Sequence, residues 1–166
     1  MNNPYGKNLG DRDPMDVLES TVDRLAALTV GLSDERVAAP ISPGKWSMHE
    51  IVAHLADLEL VTSARCRWIL FQDNPTLIGY DQDPWIDGWR REEESFPETF
   101  HRFRVLRKAQ LRLFRKCSEA DLERTATHQD LGPITLGLLR SLVAGHDLNH
   151  LQQLEAVYGQ GKPANG

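Results

Sequence analysis

The sequence predicts an all-α chain folded as a four-helix bundle. Three observations carry that reading. Four segments repeat apolar residues at helical spacing, each opens on a residue that can cap a helix, and the segments between them are rich in proline and glycine. The chain has 166 residues, 40% of them hydrophobic, enough for one ordinary core and too few for two comfortable domains.

The first dozen residues are polar and rich in Asn and Gly, so residues 1–12 are expected to form a flexible arm ahead of a single domain over 13–160. Asp13 then caps a helix that starts on Pro14, where the missing N–H is an orphan in any case, and Leu18, Val22, Leu25 and Leu28 continue its apolar stripe. Gly31 is placed to end it. A linker through Pro40, Pro43 and Gly44 leads to the strongest start signal in the chain. Ser47 and Glu50 match a capping box, and Trp46 and Ile51 match the hydrophobic staple around it. The second helix is expected to run to about Asn74-Pro75, with a stripe of Ile51, His54/Leu55, Leu58 and Val61.

Residues 73–94 read as irregular, with Pro75, Gly79, Pro84 and Gly88 interleaved with Tyr80, Trp85 and Trp89. A connection this long in a small domain is usually functional, and its aromatics speak against disorder, so it is expected to cover a site. Ser95 and Glu98 open the third helix, striped by Phe96, Phe100, Phe103, Leu106/Leu111 and Phe114. A turn at Ser118 to Leu122 and a loop through Gly132-Pro133 follow. Thr135 caps the last helix, whose stripe is Leu139, Leu142, His146, His150/Leu151 and Leu154, ending at Gly159.

The chemistry lies on two of these stripes. His146 and His150 are four residues apart, so on a helix their imidazoles project the same way and can share one ion. His54 lies on the buried face of the second helix. Three neutral imidazoles hold a divalent ion and leave it an open position, the arrangement of a catalytic site. Imidazole suits Zn, Ni and Fe alike, so the metal itself is not specified. His49 and His54 mimic the zinc-protease HExxH string but are five apart, so their rings diverge by about 140°. Glu50 is better read as the capping-box partner. Asp57, Asp147, Asn149 and Gln153 are candidates to orient an imidazole through its second nitrogen, and His128 lies on the loop before the last helix.

Other function classes fare poorly. A net charge of −5 and a pI near 5.7 argue against nucleic acid or an anionic membrane as partner. The third helix has a basic stripe of His101, Arg104, Lys108, Arg112 and Arg115, which neighbouring acidic residues balance without any ligand. Cys66 and Cys117 form no CxxC or disulfide framework, which fits a reducing cytoplasm, and neither a signal peptide nor a membrane span is evident.

The strings Lys45-Trp46-Ser47 through Glu50-Ile51-Val52-Ala53-His54-Leu55-Ala56-Asp57 and Gly145-His146-Asp147-Leu148-Asn149-His150-Leu151-Gln152-Gln153-Leu154 resemble the DinB-like superfamily, as does the entry Gly132-Pro133-Ile134-Thr135-Leu136. The resemblance covers Asp16 to Tyr158. It implies an up-down-down-up four-helix bundle, often a homodimer, with a divalent metal on His54, His146 and His150. Relatives of known activity include S-transferases that use bacillithiol-type thiols and a mycothiol-dependent maleylpyruvate isomerase. Two chemistries on a small-molecule substrate are therefore expected, transfer of a low-molecular-weight thiol, which those relatives favour, and hydrolysis by metal-bound hydroxide, with Tyr80, Trp85 or Trp89 shaping the pocket. The alternative is a non-enzymatic, stress-related dimeric bundle in which histidines and metal only stabilise the core.

Overall fold

The structure is a computed structural model that describes residues 3–90 and 93–159. Four long helices form the bundle. They are α2 (Pro14–Thr29), α4 (Met48–Phe71), α6 (Phe96–Phe114) and α8 (Leu136–Tyr158), and the expected start signals are in place at each. The Asp13 carboxylate accepts from Met15 and Asp16, the reciprocal boxes Ser47/Glu50 and Ser95/Glu98 are both formed, and the Thr135 hydroxyl accepts from the Leu138 N–H.

Side-chain partners give the helix directions. From His49–Thr99 through Asp57–Arg102 and Glu59–Arg107 to Ser63–Gln110, numbers rise together, so α4 and α6 run parallel. Thr21–Asp147 and Arg24–Glu155 do the same for α2 and α8. Between the pairs the sense reverses: His54 meets His146 and His150, while Thr62 and Arg65, further along α4, lie beside Leu142 and Leu139, earlier on α8. This is the up-down-down-up arrangement. The core fills the space between the four helices with Leu18, Leu25, Ile51, Leu55, Phe103, Leu148 and Leu151, all nearly inaccessible.

Short elements occupy what the sequence presents as linkers. The arm expected over 1–12 includes the helical turn α1 (Gly6–Leu9), with Leu9 buried. A second short helix, α3 (Asp34–Ala38), sits in the first linker under a Ser33 cap. α4 stops at Phe71, before the expected Asn74-Pro75. The stretch expected to be irregular is in large part ordered, as β1 (Thr76–Leu77) and α5 (Gln82–Trp89). Asp81 caps α5, and Ile86 and Trp89 bury against Ala53 and Trp46. The expected turn at 118–122 is α7 (Glu119–Leu122), and the Gly132-Pro133 loop is a hairpin of β2 (Thr125–His128) and β3 (Gly132–Thr135). β1 joins it in parallel, Thr76 opposite Thr127, giving a sheet of order β1-β2-β3. Gly132 has φ +72, a conformation glycine adopts without strain. Burial alternates along β2, so Ala126 and His128 face inward.

Candidate metal centre

The three histidines come together at the bundle interior. Burial leaves His54 2% exposed and His146 and His150 7% each. Their Nε2 atoms converge: His54 to His146 is 3.0 Å and His150 to His146 is 3.3 Å. α4 supplies the first from its second turn, and successive turns of α8 supply the other two. Two nitrogens bound tetrahedrally to an ion at roughly 2.0–2.1 Å lie about 3.3 Å apart, so the donor set has the spacing of a metal site.

The rings are also in the right protonation state. Burial first, then the neighbouring imidazoles, lowers His54 to about 2 and His146 to about 3, and burial lowers His150 as well. All three are therefore neutral at pH 7, as ligands must be. Gln153 fixes one tautomer. Its Oε1 can only accept, so the 3.1 Å contact to His150 Nδ1 puts the ring proton there and leaves the Nε2 lone pair facing the centre.

Aromatic rings wall the site. Trp46 lies 5.0 Å from the His54 ring and stacks at 19° to His150, and Tyr5 meets His146 edge-on at 5.1 Å. Tyr5 reaches this position because residue 145 is glycine: a Cβ there would stand 2.7 Å from the Tyr5 Cβ and 2.8 Å from its carbonyl oxygen. The sequence showed Trp46 only as a staple residue and gave no sign of Tyr5, whose role depends on the N-terminal segment folding back onto α8.

Two cavities adjoin the triad. The outer one, about 820 Å³, is bordered by His146 and His150 together with Lys45, Trp46, Gln82, Asp83, Asn149 and Gln153. The inner one, about 250 Å³ and mainly apolar, is bordered by His54 and His146 and extends past Leu58, Leu139 and Leu142. Gln82 at the start of α5 touches both. The connection after α4 thus reaches the site, through Tyr80 as expected and also through Gln82, which carried no signal in the sequence. Tyr80 lines the inner cavity, whereas Trp85 and Trp89 line a separate surface hollow with Asp57 and Arg102.

Of the residues expected to orient an imidazole, Gln153 does so. Asp147 instead receives Arg107 and the Thr21 hydroxyl, Asp57 receives Arg102, and Asn149 accepts from Asn8 Nδ2. His128 borders the inner cavity, and His49 lies apart from the triad, its Nε2 2.9 Å from the Thr99 hydroxyl. Neither cysteine has the setting of a nucleophile. Burial pushes the Cys66 thiol up to about 12 and raises Cys117 too.

A family model described as the DinB superfamily matches residues 18–154. The chain belongs to the DinB superfamily. Among curated relatives, a protein of Oceanobacillus iheyensis named "Putative metal-dependent hydrolase OB0782" is 25% identical over 130 residues, 77% of this chain and 74% of that one. A Geobacillus thermodenitrificans protein of the same descriptive name is 25% identical over 136 residues, 81% and 76% of the two chains. In fold, the chain is similar to YfiT from Bacillus subtilis, described as a probable metal-dependent hydrolase with an unusual four-helix bundle topology. The TM-score is 0.77 at 22% identity, with 88% of this chain and 86% of that one covered.

Proposed function

We propose that the protein is a divalent-metal-dependent hydrolase whose ion is held by His54, His146 and His150. The observation that carries the proposal is the convergence of three buried, neutral imidazoles at metal-ligand spacing, with cavities on two sides. The names of the relatives support the same class. When bound, a Zn, Ni or Fe ion supplies a Lewis acid and lowers the pKa of the water or thiol it takes as a further ligand. The protein's own groups prepare the place. Gln153 holds His150 in its donor tautomer, Trp46 packs against two of the three rings, and Tyr80, whose phenol burial pushes up to about 12, stays protonated and able to donate within the inner cavity.

One observation favours thiol transfer as a second reading. The large outer cavity carries Lys45, Asp83, Asn149 and Gln153 on its walls, groups suited to a polar low-molecular-weight thiol, while the inner one is shaped for a less polar second substrate. Metal-loaded enzyme, chelator-treated enzyme and His146→Ala are to be assayed on ester and amide panels with and without added thiol. Turnover in the loaded enzyme alone is expected, and dependence on thiol selects transfer over hydrolysis. Equal turnover in His146→Ala would sink both readings.

A further inference from the structure

The inner cavity contains a cation that the triad does not use. Arg65 is 7% exposed and lines this cavity, eleven residues beyond His54 on α4. Among the described residues it makes one hydrogen bond, from Nη2 to the Ile78 carbonyl at 2.6 Å, and its buried Nε has no partner. Among the described residues no carboxylate lies within ion-pair distance of it. Asp130 and Tyr80 act on it only as nearby charge and phenol, and Asp130 is 63% exposed at the mouth. One turn earlier, on the same face of α4, Thr62 is wholly buried and its hydroxyl also has no partner among the described residues.

Burying a guanidinium without a counter-ion is expensive, and a fold retains one where something else supplies the charge. The fully buried Arg107 shows the contrast, since two carboxylates surround it. Leu58, Leu139, Leu142 and Val143 give the cavity its apolar walls, and Tyr80, Gln82 and His128 add polar groups to the lining. At about 1.5 Å per residue, Thr62 stands roughly 12 Å along the helix axis from His54.

We propose that this cavity is a substrate subsite for an apolar chain ending in a carboxylate, with the anion held by Arg65 and Thr62 and the reacting bond at the histidine triad. A carboxylate fits better than a phosphate, because the cavity offers a single guanidinium and the Asp130 carboxylate on its lining opposes a second negative charge. The position of the reacting bond rests on the metal reading above. The anion subsite rests on Arg65 and Thr62 alone.

The test is calorimetric titration of hexanoate and its neutral counterpart hexanamide into the metal-loaded protein, Arg65→Gln and Thr62→Val, with metal content measured on the same samples. Wild type is expected to bind hexanoate about tenfold or more tightly than hexanamide. Arg65→Gln should abolish that preference and Thr62→Val should weaken it. Equal binding of the two probes to wild type, which needs no variant to fold, overturns the subsite, as does a preference that survives in both variants. Wild type that holds no metal yet shows an Arg65-dependent preference would contradict the metal reading and support the subsite.

Discussion

At Arg107 a guanidinium is held from three sides inside the bundle. Nε donates to Glu59 Oε1 at 3.0 Å, Nη1 and Nη2 donate to the two Asp147 oxygens at 2.6 and 3.1 Å, and Nη1 also reaches the Leu18 carbonyl. The network joins α2, α4, α6 and α8 next to His146. Arg107→Met leaves two buried carboxylates facing each other, and loss of one partner from such a group costs about 3–5 kcal/mol. Urea denaturation should show a loss of that size, and a change below about 1 kcal/mol would mean that the carboxylates are neutralised some other way. Sequence reading passed over this residue because a lone Arg on a basic helix looks solvated. The histidines were legible for the opposite reason: each is a polar residue on an otherwise apolar stripe. Tyr5 and Arg65 had no comparable signal, since one depends on a chain reversal and the other on what is missing around it.

Among the elements, the long helices declare themselves through caps and periodicity. The short ones, α3, α5, α7 and the three strands, span too few residues for a period to emerge and take their form from packing against the bundle. The join of α5 and α6 depends on Glu94. Burial pulls its carboxyl upward, but hydrogen bonds from Arg102, Trp89 and Thr99 outweigh that and hold it below the usual carboxylate value. A depressed folded-state pKa stabilises at pH above the unfolded value, about 4.3, and that contribution is lost as pH falls through the folded value. Glu94→Gln should therefore be less stable than wild type at pH 7, and the gap should close as acid protonates Glu94 in the parent. A gap that stays constant from pH 7 to pH 3 would contradict the assignment.

For the molecule as a whole, direction follows from connection length. Parallel neighbours such as α4 and α6 oblige the chain to travel back along the bundle, and the returning segment, with α5, is what reaches the site at Gln82. The sequence showed that this connection is long and aromatic, but not which of its residues face the metal centre, because that depends on how α5 rotates onto Ala53 and Trp46. The fold brings two helices distant in sequence to one point, where three bare nitrogens meet with spacing suited to an ion. The central claim is therefore a claim about metal. Elemental analysis of native protein beside His146→Ala, both purified without a metal-affinity tag, tests it directly. The account predicts near-stoichiometric divalent metal in the native protein and its loss in a folded variant. A native protein free of metal that also fails to take up added Zn or Ni would contradict it.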